Sequence, residues 1–439
     1  MTDSNRWQAK TLCLVAGLAM AGAPAAHGQE FFPIGSLDGS GGVGGQSNFV
    51  RAISADGRLA AGGAILSGAS VCDSQQGYTW SRGDGIQPFA AVGECVTSVF
   101  DMDAAGETIV GSGAPTNPLR GYYWTEDAGF IEIPQIFEDR GRTFFNPETT
   151  RLRVTGDGSA VIGTGFRIAS GIPASGSQPV RWTPSEGYEF LDLPAPGAAG
   201  LPNGVNVDGS VIVGSTTTSS GDGASIPAIW TADGSVRNIA RPPASRTGFF
   251  RDVTPDGRVL IGGGRLEDSN VPRSFSWTED NGWFDLGDFP AGGTGGFPLA
   301  VSDDGSVIVG GYTLFGFGGR AYIWTEDQGI QDLNEVARGL GIDLLGWTLT
   351  QATAISADGR TIAGVGTNPS GVDDSWVLVL ESSSCPADFD GDDRLSIFDF
   401  LAFQNAFDSG DSSADFDGDG RLSLFDFLAF QNEFDVGCD

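Results

Sequence analysis

Two twelve-residue segments near the C-terminus carry carboxylates at a spacing that suits a hard cation. The first runs Asp388-Phe-Asp390-Gly-Asp392-Asp393-Arg394-Leu-Ser396-Ile-Phe-Asp399. The second, 27 residues later, runs Asp415-Phe-Asp417-Gly-Asp419-Gly420-Arg421-Leu-Ser423-Leu-Phe-Asp426. Positions 1, 3, 5 and 12 are carboxylates, Arg394 and Arg421 at position 7 offer carbonyls, and Ser396 and Ser423 at position 9 ligate directly or through water. An all-oxygen set of this size fits Ca²⁺, one ion per loop and two in all. Gly420 fills the sharp-turn position of the second loop. Asp393 stands there in the first, which is expected to bind more weakly. An acidic unstructured tail is the bland alternative, since residues 385–439 hold 14 Asp and Glu against two Arg. The exact internal repeat and the helical segment after each loop argue against it. Repulsion among these acids predicts that calcium binding and folding are coupled.

Each loop leads into one helix, Phe398-Asp-Phe-Leu-Ala-Phe-Gln-Asn405 and its copy Phe425 to Asn432. With aspartate rather than glutamate at position 12, Asp388 to Phe434 resembles the dockerin family. That resemblance implies a module that plugs its cargo into a cohesin receptor. By position, Asp388, Asp390, Asp392, Ser396 and Asp399 would hold one ion, and Asp415, Asp417, Asp419, Ser423 and Asp426 the other. Many dockerins place small polar recognition residues at loop positions 10 and 11. Here those positions are Ile397-Phe398 and Leu424-Phe425, which implies a more apolar receptor. Two short helices cannot bury so much apolar surface between themselves. Ile397, Phe398, Leu401, Leu424, Phe425 and Leu428 are therefore the expected partner contacts.

The rest of the chain sets the context. Arg6 and Lys10 precede a short apolar run, Thr11 to Ala23, and small residues follow to Gly28. Residues 1–28 thus read as a signal peptide, with a mature protein that is secreted or held at the cell surface and not inserted in a membrane. Four cysteines then remain, Cys72, Cys95, Cys385 and Cys438, an even number that implies two disulfides. Three pairings are open, and proximity favours Cys72–Cys95 and Cys385–Cys438. The net charge of −32 argues against nucleic-acid partners. The single histidine, His27, leaves with the signal, and with it every chemistry that needs imidazole.

Residues 29–381 are dominated by a repeat of about 50 residues, a period that marks stacked units. Each of seven units opens on a strand, an Asp-Gly turn (Ala105-Gly106 in the second) and an apolar strand ending in glycine. The second half centres on a tryptophan: Trp80, Trp124, Trp182, Trp230, Trp277, Trp324 or Trp376. Four short strands per unit, with no helical pattern between units, predict a seven-bladed all-β propeller. The seventh unit lacks its last strand, and Phe31 to Leu37 supplies one, which would close the ring. Residues 382–384 are a linker to the small helical calcium module, 385–439. The units resemble the HAF family of extracellular repeats in the Asp-Gly turn, the Val211 to Gly214 and Val307 to Gly310 strands, and the run into Trp-Thr. The eponymous triplet appears as Arg273-Ser-Phe275 and Arg320-Ala-Tyr322. This resemblance implies a fold and an extracellular setting, not a reaction.

The Asp-Gly pairs read as turn chemistry, and the tryptophans as packing between blades. Glu126/Asp127, Glu279/Asp280 and Glu326/Asp327 recur in equivalent turns, so they circle a rim and do not converge on a substrate. On the opposite, loop face, Arg140, Arg142, Phe144 and Phe145, with Arg246, Phe249, Phe250 and Arg251, could hold a sugar or an anion by stacking and charged hydrogen bonds. The favoured reading is a secreted, non-catalytic binding or surface-structural propeller, anchored through its calcium module to a cohesin-like or other apolar receptor. The competing reading is a carbohydrate-active propeller in polysaccharide degradation. That would need two or three acids meeting at the axis.

Overall fold

β-Branched and aromatic residues favour extended chain, and Asp-Gly pairs favour tight reversals, so each repeat is locally committed to a meander. The computed structural model describes residues 30–37, 48–65, 75–89, 96–113, 120–134, 141–145, 152–169, 177–217, 224–290, 292–314, 318–380, 387, 389, 395–416 and 421–436. Seven antiparallel sheets form a seven-bladed propeller. The first strand of each blade packs beside the first strand of the next, around the axis. These strands are Asn48–Ile53, Val96–Met102, Arg153–Val154, Ala199–Val205, Phe249–Val253, Gly293–Val301 and Thr348–Ile355.

The ring closes as the repeat count predicts. Strand Glu30–Pro33 pairs antiparallel with Asp373–Val379 and completes the seventh blade. Phe31 meets Trp347 edge-on at 5.7 Å, and the Ile34 amide donates to the Ser375 carbonyl at 3.0 Å. The tryptophans sit between blades. Trp230 is fully buried in a cluster with Ile162 and Leu191 of the preceding blade, and Trp277 joins Val213 and Ile229 in the same way.

The sequence pattern suggests that the second strand ends at its glycine, but the strand runs on past it (Val211–Thr217 around Gly214, Val307–Leu314 around Gly310). In six blades that glycine has a steric cause. In six blades the first strand carries a β-bulge, at Arg51, Phe100, Asn203, Arg251, Leu299 and Thr353. The bulged backbone presses on the strand beside it. A Cβ on Gly214 would lie 2.0 Å from the Leu201 carbonyl oxygen, and one on Gly310 2.3 Å from that of Phe297. Backbone cannot yield as a flexible side chain does. Gly214→Ala is therefore expected to destabilise the propeller by about 2 kcal/mol or more, in the manner of overpacking, read as a lower urea midpoint at unchanged slope.

One element departs from the all-strand expectation between blades. Helix α1, Leu333–Gly339, follows the sixth blade, capped by Asp332, whose side chain accepts the Asn334 amide. Asn334 also donates to the Leu349 carbonyl at 3.0 Å, and Leu333 and Ala337 are buried against the seventh blade. A seven-residue helix carries little periodicity, and tertiary packing decides it. Two further helices, α2 (Ile397–Ser409) and α3 (Leu424–Val436), lie in the C-terminal region. Among the described residues no helix is long and apolar enough to cross a membrane.

Candidate functional site

Five of the six bulge residues, Arg51, Phe100, Arg251, Leu299 and Thr353, reach the axis. There they and their neighbours line a cavity of ≈ 340 Å³ that includes Arg51, Phe100, Arg153, Phe249, Arg251, Phe297, Gln351 and Thr353. The lining residues precede the Asp-Gly turns, so the cavity lies toward the loop face. Arg51 and Arg251 hold the same bulge position in the first and fifth blades. The Arg51 guanidinium stands 5.8 Å from the centre of the Phe100 ring, and Phe249 and Phe297 meet edge to face at 5.1 Å.

Charge extends behind this wall. Arg153 Nε donates to the Asn203 carbonyl at 2.8 Å, and its Nη1 lies 3.9 Å from Asp101 Oδ1. The Val154 amide donates to Asp101 Oδ2 at 3.1 Å. Asn203 Nδ2 in turn donates to the Phe250 carbonyl at 2.8 Å, beside Asp252. Burial pushes the Asp101 carboxyl up to about 6, against the opposing pull of Arg153. Burial raises Asp252 as well, with Arg153 again opposing. Two carboxylates and an arginine thus influence one another across the second, third and fifth blades.

These three residues were not expected at the axis, although the repeats carry the signal. Asp101, Arg153 and Asp252 fall two places before the residue that starts the turn (Asp103, Thr155, Thr254). In the other blades that place holds Ala52, Gly204, Ala300 or Ala354. A charge where sister units keep a small residue is the mark.

Because its folded pKa exceeds the ordinary carboxylate value, Asp101 binds its proton more tightly in the folded state. Its contribution to stability is greatest below the unfolded pKa and is lost as pH rises from about 4 through about 6. Asp374, also raised to about 6 by burial, acts in the same sense. At saturating calcium, the stability gained between pH 7 and pH 5 is expected to be smaller in Asp101→Asn, by on the order of 1 kcal/mol. Urea titrations at the two pH values check this.

The turn face behaves as structure. Asp56 Oδ1 accepts the Ser54 hydroxyl and the Arg58 amide, Asp157, Asp256, Asp304 and Asp358 repeat the pattern, and Asp208 Oδ1 takes the Asn206 side-chain amide in place of a hydroxyl. Gly57 takes φ +72°. In the second blade, where Ala105 replaces the aspartate, Asp103 Oδ1 takes the Glu107 and Thr108 amides instead. Backbone bonds then tie turn to turn around the axis: Ala357 N–H to Ala55 C=O at 2.8 Å, Ala55 to Ala104 at 2.8 Å, Ala104 to Gly156 at 3.0 Å. Glu126, Asp127, Glu279, Asp280, Glu326 and Asp327 are exposed, and Glu279 pairs with Arg237 of the neighbouring blade at 2.8 Å.

The expected loop clusters are redistributed. Phe249 and Arg251 belong to an inner strand and line the axial cavity, not an outer loop. Phe250, next to them, faces the other way, fully buried and stacked on Trp283 at 4.9 Å. Alternation along a strand makes that split unavoidable. Arg246 is exposed and pairs with Asn270. Arg142, Phe144 and Phe145 lie on strand Gly141–Phe145, paired with residues 165–169, where a loop was expected. Arg140 lies outside the described residues, as do Cys72, Cys95, Cys385 and Cys438.

In the C-terminal region, Ser396 caps α2 in a capping box with Asp399, whose Oδ2 accepts the Ser396 amide at 2.7 Å. Asp426 does the same for Ser423 at 2.6 Å, and its Oδ1 accepts the Phe416 amide at 2.8 Å. Asp399 and Asp426 are fully buried. Phe403 and Phe430 stack at 4.2 Å with planes 1° apart, at the centre of a core whose members pair at the repeat spacing, Ala387 with Ala414 and Phe389 with Phe416. The expected partner residues are the exposed ones: Ile397 62%, Phe398 65%, Leu401 45%, Leu424 68%, Phe425 69% and Leu428 44%. Asp388, Asp390, Asp392, Arg394, Asp417 and Asp419 lie outside the described residues. Among the described residues no three His, Cys, Asp or Glu side chains stand together as a metal site would need. The described donors Ser396, Asp399, Asp415, Ser423 and Asp426 fit a hard cation in type, since all offer oxygen.

No family model matches this chain, and no curated protein does. Among solved structures it is similar to the β-propeller domain of a trilobed protease from Pyrococcus furiosus (13% identity, TM-score 0.49, 76% of this chain and 95% of that one). It is also similar to an oligogalacturonate lyase from Vibrio parahaemolyticus (10%, 0.49, 81% and 98%). A third likeness is to TolB from Acinetobacter baumannii (12%, 0.40), of which this chain spans 61% and matches over 64% of its own length. At such identities the likeness concerns the fold alone.

Proposed function

We propose that this chain is a secreted, non-catalytic binding propeller held on a scaffold or cell-surface receptor by a calcium-dependent docking module. The observation that carries this is the apolar face of the module. Six large side chains, three from each half, stand exposed beside a core that already has its own stacked phenylalanines. Exposed apolar surface on so small a module is interaction surface. Its occupant is an apolar cohesin-like receptor, and the near-identity of the halves gives that receptor two equivalent orientations. Asp388, Asp390, Asp392, Ser396 and Asp399 hold one Ca²⁺, Asp415, Asp417, Asp419, Ser423 and Asp426 the other, with the Arg394 and Arg421 carbonyls completing each set. The test immobilises the mature protein and measures capture of cohesin domains with calcium, with chelator, and after joint Phe398→Ala and Phe425→Ala substitution. Capture that ignores both chelator and substitution sinks this reading.

A second reading, a carbohydrate-active propeller, is favoured by one observation: near the axis the Asp101 and Asp252 carboxyls both feel the charge of Arg153, and Asp101 that of Asp252. A carboxyl near pKa 6 suits a general acid. Turnover of any polysaccharide in a panel, abolished by Asp101→Asn, would establish it over the first.

A further inference from the structure

We infer that the axial cavity binds a small ring-shaped monocarboxylate, its carboxylate taken by Arg51 and Arg251 and its ring set against Phe249 and Phe297. This deepens the reading of the propeller as a binding device and does not depend on the docking module.

Size comes first. A cavity of ≈ 340 Å³ is near the lower end for small-molecule sites, so it suits one compact ligand and not a folded partner. Charge comes second. Three arginines line it while the chain as a whole carries −32. Arg153 is engaged with Asp101 and Asn203 and serves as wall. Arg51 and Arg251 stand at equivalent bulges and both line the cavity; each keeps partners within the protein, and the five donors of a guanidinium fork leave room for a carboxylate besides. The acidic surface disfavours a polyanion, whose many charges would meet it, more than it disfavours a single charge.

Shape comes third, and here the cavity is built for rings. A Cβ on Gly263 would lie 2.4 Å from Phe297 Cδ1, so that glycine exists to let the Phe297 ring lie where it does. Gly311 does the same for Gln351, with a Cβ 2.9 Å from its Cγ. Thr353 donates its hydroxyl to the Val50 carbonyl at 3.0 Å, which leaves its oxygen as an acceptor. Aromatic edges beside an amide and a hydroxyl accept either a sugar acid or an aromatic acid.

Calorimetry on the mature protein separates these, using glucuronate, its methyl ester, benzoate and glucose. At least one acid is expected to bind, with the ester or glucose weaker by roughly tenfold (about 1.4 kcal/mol). Glucuronate alone identifies a sugar acid, and benzoate alone an aromatic acid. Arg51→Gln is expected to erase the preference for acid over ester. Arg51 is exposed, so this variant should fold as the parent does, and a thermal melt confirms it. Arg251→Gln provides the second arm. Equal binding of acid and neutral compounds, or an acid preference that survives both variants, overturns the ligand class while leaving the binding reading intact. Binding of none of the four overturns the ligand class, while the docking reading stands or falls on its own capture test.

Discussion

Deleting residues 30–37 is expected to lower the propeller's melting temperature by roughly 10 °C. Strand Glu30–Pro33 is the only element of the seventh blade that comes from the other end of the described chain. Its loss removes the burial of Phe31, 6% exposed, and Ile34, 3% exposed, each worth roughly 1.5–3 kcal/mol. The strand's ladder bonds to Asp373–Val379 go with it. The edge so uncovered presents unpaired backbone, and edges of that kind recruit other chains. Calorimetry should show the lowered transition, and size-exclusion chromatography a concentration-dependent dimer. A milder variant, Phe31→Ala with Ile34→Ala, keeps the strand and should fall between. A deletion that melts with the parent would mean that the ring is closed by packing alone.

Chelating calcium is expected to unfold α2 and α3 and leave the propeller intact. Four fully buried residues, Ala387, Phe403, Ala414 and Phe430, form the centre of the core those helices share. So small a core rarely stands without a metal or a cross-link. Two calcium ions at a hundredfold excess over their dissociation constants would add about 5 kcal/mol, roughly 2.7 for each site. Without them the acids of the two loops repel one another, and the buried Asp399 and Asp426, which accept the Ser396, Ser423 and Phe416 amides, lose the cation that would offset their charge. Limited proteolysis with and without chelator, cut sites mapped by mass spectrometry, reads this directly. Cleavage within 397–436 should appear only with chelator. Helices equally protected in both conditions would refute the coupling.

Much of this was legible beforehand because repetition amplifies weak signals. A single Asp-Gly or Val-Ile-Val-Gly fragment says little; copies at a fixed period leave one architecture that closes. The exposed face of the helices was legible for a different reason. Ile397, Phe398 and Leu401 add more apolar surface than two 13-residue helices can share. Helix α1 and the axial site were not legible in the same way. Nothing local separates Phe249 from Phe250, yet one lines the cavity and the other stacks on Trp283.

The sequence by itself determined the blade, the number of blades, the closing strand, and an all-oxygen donor set at calcium spacing. All of these are set within a repeat or by comparison of one repeat with the next. Only the tertiary structure decided that Asp101, Arg153 and Asp252, from blades far apart in the chain, share one axial neighbourhood. The reason is the ring itself. Every first strand runs along the same axis, so one fixed place in the repeat turns residues separated by about 50, 100 or 150 positions into neighbours.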